Sequence, residues 1–290
     1  QKLREETRDS DTLPWLEGWL RDVRFAARSL ARRPGLATTV IASLALGIGA
    51  TTLVFSVFDA LFLRPLPFAS PDELVVIEER KNGQTQGANP ARLRDYRAQL
   101  TGVAGVVGVY GEGMVLTGRG DARRLTAIRF FGDALGLLGV EPQVGRRFTA
   151  EESYAKAALP VMLTDAGWRK HFAGDRKIVG QTLALDKKAF TVIGVLPAEF
   201  DYPDGAELWI PAAAEFQNAG RGGSWFQMVA RRREPLAALD AQLAAVTQRF
   251  AREYAATDAG LTARAVPLQE YEVRGARAAG RLLFGAVCFV

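Results

Sequence analysis

The strongest hydrophobic signal along the chain is the stretch from Gly35 to Leu63, in which Asp59 is the only charged residue. As a helix it would rise roughly 43 Å, against a hydrocarbon core of about 30 Å, so the pattern predicts a transmembrane helix with a turn or two to spare. The polar region before it is too long, and the apolar run too extended, for a cleaved secretory signal. Upstream, Leu16, Leu20, Val23, Ala27 and Leu30 recur at helical spacing, while Arg21, Arg24, Arg28 and Arg32 keep a register of their own. That predicts an amphipathic helix lying along the membrane surface, with Pro34 breaking or bending the chain before the span.

After Leu63 the pattern shortens. Turn signals at Arg64-Pro65-Leu66-Pro67 and Ser70-Pro71-Asp72 precede Leu74-Val75-Val76-Ile77-Glu78, which reads as a buried strand. A polar loop follows, and a helix is expected to start near Pro90, which suits a first-turn position. Further strands are predicted at Gly105–Tyr110, Met114–Thr117, Arg124–Phe131, Pro160–Leu163, Thr182–Leu185 and Phe190–Val195. Short helices are expected at Gly132–Leu138 and Asp165–Phe172. The longest soluble helix should run from Pro235 to Tyr254, where Leu236, Leu239, Leu243, Val246, Phe250 and Tyr254 form a stripe that should pack on a sheet. With no regular βαβ alternation, the fold class is α+β.

Charge gives the span a direction. Arg21, Arg24, Arg28, Arg32 and Arg33 precede it with Asp22 alone opposing them, which places the N-terminus in the cytoplasm and the residues after Leu63 outside it. These arginines serve either as a topology anchor against lipid headgroups or as a contact for a cytoplasmic partner. Within the span, Ser43, Gly47 and Thr51 recur every fourth residue, a small-residue strip suited to close packing against another helix. The net charge of +5 is spread over 37 basic and 32 acidic residues without the aromatic-basic interleaving of a single-strand binder, which argues against nucleic acid as a partner. The one cysteine, Cys288, permits no internal disulfide. It lies in an apolar run that reads as the first turns of a second membrane helix. The expected organisation is a cytoplasmic segment over 1–34, a membrane helix over 35–63, an extracytoplasmic domain over 64–280 and the start of a second membrane helix over 281–290.

Candidate chemistry is sparse. No GxxxxGK(S/T) sequence occurs, so the chain carries no P-loop ATPase of its own. Gly111-Glu112-Gly113 lacks a third glycine and a following helix, and is expected to be a turn between strands. His171 is the only histidine, which excludes a His-pair zinc site, and it is expected to be a polar residue at a helix end. Ser224 lies outside any GxSxG elbow and reads as a loop residue, and the acid pairs Glu151/Glu152 and Asp201/Asp204 are expected to be solvated. The expectation is that the chain is not an enzyme and holds no metal or cofactor.

The order of motifs resembles the permease subunit of ABC systems with a MacB-like periplasmic core domain, close to the FtsX-like permeases. The segment Asp22 to Gly35, then Leu44-Ala45-Leu46-Gly47-Ile48-Gly49-Ala50 and Leu63-Arg64-Pro65-Leu66-Pro67, is similar to the start of duplicated orphan permeases described from acidobacteria. Farther on, Leu138-Gly139-Val140-Glu141-Pro142, Gly145, Trp168, Gly174-Asp175, Gly180, Gly194, Pro197, Trp209 and Pro211 resemble the core-domain pattern, a signature of turns and packing rather than of catalysis. The resemblance implies a bacterial inner-membrane protein, multi-pass when complete, of which this chain is the N-terminal part. It implies a cytoplasmic ABC ATPase on a separate chain, a second permease unit as dimer or internal duplication, and room for a periplasmic adaptor. The function it implies is ATP-driven motion of the periplasmic domain for efflux of drugs, peptides or lipoproteins. The alternative is a membrane-anchored sensor or binding domain with no ATPase.

Overall fold

A computed structural model describes residues 22, 25, 26, 28, 31–58, 68–149, 151–152, 159–212 and 219–274. The chain divides into two compact units, Gln1–Arg64 with Gly275–Val290, and Pro65–Arg274. In the first unit the described residues hold helix α1, Pro34–Phe58, which is long and apolar enough to cross a membrane over Pro34–Thr52. Its large apolar side chains Leu36, Ile41, Leu44, Leu46, Ile48 and Phe55 are exposed. Asp59 to Leu63 of the predicted span, Arg21 and Arg24, and the apolar run over 281–290 lie outside the described residues.

The second unit is an α+β domain. Its strands are β1 Leu74–Lys81, β2 Gln84–Gln86, β3 Val103–Thr117, β4 Arg123–Phe131, β5 Val144–Gly145, β6 Pro160–Leu163, β7 Thr182–Leu185, β8 Lys188–Val195, β9 Leu208–Pro211, β10 Gln227–Arg232 and β11 Leu261–Pro267. Its helices are α2 Pro90–Gln99, α3 Ala134–Leu138, α4 Asp165–Phe172, α5 Leu236–Glu253, α6 Ala255–Asp258 and α7 Leu268–Val273. The strands share one sheet in the order β11-β1-β10-β3-β4-β9-β6-β8-β5, with β2 on β1 and β7 joining β3 to β8. Most pairs are antiparallel; β4 with β9 and β6 with β8 are parallel.

The local chemistry accounts for the elements. Pro90 occupies the first turn of α2, where a missing N–H costs nothing, and the Asn89 side chain accepts from Arg92 N at 2.9 Å. Thr164 caps α4 in the same way, accepting from Gly167 N at 3.1 Å. The predicted stripe of α5 buries Leu239, Leu243, Val246 and Phe250 against β11 and α2, with the Phe250 and Tyr96 rings 5.3 Å apart and edge-on. Tyr254, expected in that stripe, is instead the residue that ends the helix, and it is exposed.

Another expectation is overturned. Gly111-Glu112-Gly113 is no turn: it lies inside the fifteen-residue strand β3, with Gly111 opposite Ile128, Glu112 opposite Ala127 and Gly113 opposite Thr126. The Arg124 side chain lies over Gly113, in the space a Cβ there would take, while a Cβ on Gly111 would meet only Ile128 at 3.8 Å. The strand holds because β4 is paired along this whole stretch, and tertiary pairing overrides the weak strand preference of glycine. The sequence pattern also leaves out β2, β5, β9, β10 and β11.

Three apolar clusters fill the domain. One packs α2 and α5 on β1, β10 and β11; one packs α4 among β6 to β9; the third, around Phe130, Trp209 and Leu138, takes the alternate residues of the same strands and so covers the other face of the sheet. We expect Phe250→Ala, which empties a fully buried site, to lower the unfolding free energy by about 3–5 kcal/mol in denaturant titrations of the purified chain.

Candidate functional site

In helix α1 the hydroxyls of Thr38, Thr39, Thr51 and Ser56 each donate to the carbonyl four residues back, at 2.8, 2.9, 2.8 and 2.8 Å. These donors are thereby satisfied within the helix, as a lipid environment requires. Thr51 turns onto Gly47, so those two members of the small-residue strip make one contact, while Ser43 stands one turn before them and is exposed. Arg28, Arg32 and Arg33 are exposed.

The second unit begins and ends at one place. Phe68 and Leu268 share a core cluster, and helix α7 has Cα atoms within 8 Å of the 3-10 turn Pro71–Glu73. Ion pairs hold both ends. At the entry, Arg231 Nη1 donates to Glu73 Oε2 at 2.9 Å and to Ser70 O at 3.3 Å. At the exit, buried Glu78 of β1 accepts from Arg274 Nη1 at 3.1 Å and from Arg264 Nη2 at 2.7 Å. Burial works against ionisation of Glu78, yet the two guanidiniums prevail and hold its carboxyl below the ordinary value.

The signature residues lie away from these ends. Gly145 and Gly194 face each other in the β5–β8 pair, and a Cβ on Gly145 would sit 2.2 Å from Ile193 O. Gly139 ends α3 with φ of 72° beside Ala69. Trp168 is buried on α4 and donates its indole N–H to Asp175 O at 3.0 Å, while Asp175 caps the following turn by accepting from Lys177 N at 2.9 Å. Gly174 and Gly180 have φ of 71° and 88°, and Gly180 N donates to Val192 O at 2.7 Å. Trp209 is fully buried between Phe130 and Phe200. Pro142 and Pro197 are half-buried in turns, and buried Pro211 ends β9, its carbonyl accepting from Arg129.

His171 is at the end of α4, as expected, with Nε2 2.8 Å from Glu207 Oε1. Glu207 also accepts from Lys170 Nζ at 2.8 Å and Thr126 N at 2.9 Å. Burial raises its carboxyl, but these donors outweigh it and hold the pKa below 4.5. Ser224 is a loop residue whose Oγ accepts from Arg92. Asp201, Asp204 and Glu151 are exposed, but Glu152 is not simply solvated: Arg146 grips it with two bonds of 2.7 Å, and it exchanges hydrogen bonds with Thr149 in a capping box. Among the described residues, no group of three His, Cys, Asp or Glu side chains is placed to hold a metal.

Sequence reasoning missed a buried ionic centre. Arg92 of α2, 2% exposed, donates through Nε to Glu79 of β1 at 2.9 Å and through Nη1 to Asp258 of α6 at 3.2 Å; these carboxylates are 1% and 0% exposed. Its Nη2 reaches Ser224 Oγ at 2.8 Å. Arg221 bridges Asp258, at 2.5 Å, and Asp95, and its guanidinium lies 3.3 Å above the Tyr254 ring. Burial pushes the Glu79 carboxyl up, against the pull of Arg92. The available signal was that Arg92 shares the buried face of α2 with Tyr96, four residues on.

The profile of the MacB-like periplasmic core domain matches residues 37–252, from within α1 to the last turn of α5. No curated protein sequence matches the chain. Among solved structures, a domain of a candidate permease protein from Porphyromonas gingivalis is similar at 17% identity and TM-score 0.53, covering 69% of this chain and 92% of that one. The extracellular domain of the noncanonic ABC-type transporter YknZ from Gram-positive bacteria follows at 13% identity and TM-score 0.50, covering 66% and 98%. The periplasmic region of MacB from Actinobacillus actinomycetemcomitans matches at 14% and 0.50, covering 70% and 92%.

Two outcomes are expected. Arg92→Ala leaves the buried Glu79 carboxylate without its cation and Asp258 with Arg221 alone, and should cost about 3–5 kcal/mol of stability in thermal or denaturant unfolding. Because the folded pKa of Glu207 is depressed, its contribution is present above the unfolded value of about 4.5 and lost as pH falls through the folded value. Glu207→Gln should therefore flatten the loss of stability below about pH 4.5, read from unfolding midpoints across a pH series.

Proposed function

The chain belongs to the family of the MacB-like periplasmic core domain, and on that premise we propose that it acts as a permease subunit of an ABC-type system in the bacterial inner membrane. In this reading residues 1–34 are cytoplasmic, α1 spans the bilayer and the Pro65–Arg274 unit is periplasmic. Arg21, Arg24, Arg28, Arg32 and Arg33 rest against inner-leaflet headgroups, where each basic side chain contributes about 1 kcal/mol. The strip of Ser43, Gly47 and Thr51 packs against another membrane helix, of this permease or of a second permease unit. The ATP-hydrolysing subunit is a separate cytoplasmic chain, and its cycle moves the periplasmic unit to drive export of a drug, peptide or lipoprotein, with an adaptor docking from the periplasm.

The observation that carries this reading is the meeting of the two ends of the core domain. A displacement delivered through the entry at Ser70–Glu73 and the exit at Leu268–Arg274 acts on one small region, held by Arg231 and Glu78, rather than stretching the domain from opposite poles. The sheet that passes through β1 is continuous over nine strands from β11 to β5, so the domain responds as a stiff body.

The test is purification of the full-length protein from native membranes into nanodiscs. We expect an ABC ATPase to copurify, with ATP turnover that rises on reconstitution with the permease. Reproducible absence of any ATPase would overturn the coupling and favour a membrane-anchored ligand sensor. Orientation is checked separately in a Cys288→Ser background: a membrane-impermeant maleimide added from the periplasmic side should label Asn82→Cys and not Arg28→Cys, and the reverse pattern would refute the topology.

A further inference from the structure

Strand β3 has a neighbour on both sides along most of its length, but not along all of it. On one side β4 pairs with it without a break from Gly108 to Leu116. On the other, β10 reaches only as far as Val109 and β7 begins only at Leu116. Between them lies a window over Tyr110 to Met114. At about 3.4 Å per residue, it measures roughly 20 Å from Val109 to Val115.

In an antiparallel ladder the N–H and C=O of one residue turn to the same neighbour, and those of the next residue to the opposite one. Val115 fixes this alternation: its N–H donates to Asp186 Oδ1 at 2.9 Å and its carbonyl accepts from Asp186 N at 3.0 Å, both on the side of β7. Counting back by twos, Gly113 and Gly111 turn their N–H and C=O groups to that same side, where neither strand meets them and they have no backbone partner among the described residues. Both glycines are exposed. The outer strands of the sheet are better protected. β5 is only Val144–Gly145, and on β11 the outward N–H of Ala265 is taken by Asp240 Oδ1 at 2.7 Å.

The charge beside the window has one sign to spare. Exposed Arg124 lies over Gly113, and its guanidinium makes no hydrogen bond among the described residues. Exposed Lys187 follows Asp186 at the β7 end. The nearby acids are already engaged, Glu112 with Arg129 Nε at 2.6 Å and Asp186 with Val115 N. A strand entering here has β10 in line at one end and β7 at the other. The window therefore takes a short stretch of chain and not the long edge of another folded sheet.

We propose that this window binds an extended acidic peptide as an added strand, antiparallel to β3 as β7 and β10 are. Two peptide residues, separated by one, exchange backbone hydrogen bonds with Gly111 and Gly113 and so satisfy both N–H and both C=O groups. Directly paired residues carry their side chains on the same face. The residue opposite Gly113 thus points its side chain at Arg124, and a carboxylate there completes an ion pair. The assignment stands on strand pairing and local charge and does not depend on the permease reading.

The test is calorimetric titration of the full chain in phosphatidylcholine nanodiscs, with empty nanodiscs subtracted. The probe is the capped peptide acetyl-Val-Glu-Val-Thr-amide, its glutamate opposite Gly113 and its threonine opposite Gly111. Methylating the amide nitrogens of the glutamate and threonine should weaken binding by at least about tenfold, while methylating those of the two valines should leave it nearly unchanged. Equal loss from both patterns would overturn the proposal, as would the absence of saturable binding. The same peptide with lysine in place of glutamate should bind about threefold more weakly, and Arg124→Glu, at an exposed position, should reverse that order with an unchanged unfolding midpoint. An order that survives Arg124→Glu would refute the acidic preference. Gly111→Pro, which removes a donor that no neighbouring strand uses, should abolish binding. A chain that dimerises in sedimentation, loses the dimer in Gly111→Pro and binds no peptide would give the window to a second copy and overturn the assignment.

Discussion

Strand β3 is the element on which both halves of the core domain depend. Its first half pairs with β10, its middle and end with β4, and its last two residues with β7. Through β10 it reaches the cluster under α2 and α5; through β4 and β7 it reaches the cluster around Trp168 and Phe190. At about 3.4 Å per residue, fifteen residues extend roughly 50 Å, more than twice a usual strand. Gly108 and Val109 pair with β10 on one side and β4 on the other, so a break there would turn one sheet into two. At Gly113 the missing side chain leaves room for Arg124 over the strand.

Local signals in the sequence were enough for several elements. Asn89-Pro90 marks the start of α2, and the stripe from Leu239 to Phe250 marks α5, because capping and helical periodicity are decided by neighbours in the chain. Strands β6 and β7 were equally plain, each a short run between turns. What failed was decided at long range. Gly111 to Gly113 reads as a turn in isolation and becomes a strand only because β4 pairs with it. Strand β10, which ends in two arginines, and β11, alternating apolar with Thr262 and Arg264, lack a strong apolar run; their partner is β1, nearly two hundred residues earlier for β11.

The charged groups divide in the same way. Of the arginines before α1, Arg28, Arg32 and Arg33 are at the surface, where a basic cluster in the sequence is expected to be. The charges inside were not legible. Arg92, Glu79 and Asp258 look in the sequence like solvated residues, and only the fold brings them together in a place without water, where each charge is tolerable because the others are present. The arrangement ties α2, β1, α6 and the loop at Arg221–Ser224 to one point, and it demands that all four segments arrive together.

The meeting of the domain's two ends has a consequence for how such a chain can be assembled. A folded insert whose ends were far apart would impose its own length on the sequence it interrupts. With Phe68 and Leu268 in one cluster, the two hundred residues between them present the flanking chain with little more than a tight turn. The entropic cost of placing the domain there approaches that of closing a short loop, and it hardly grows with the size of the domain. The interior of the domain is thereby released to vary in size and content while the flanking segments keep their spacing.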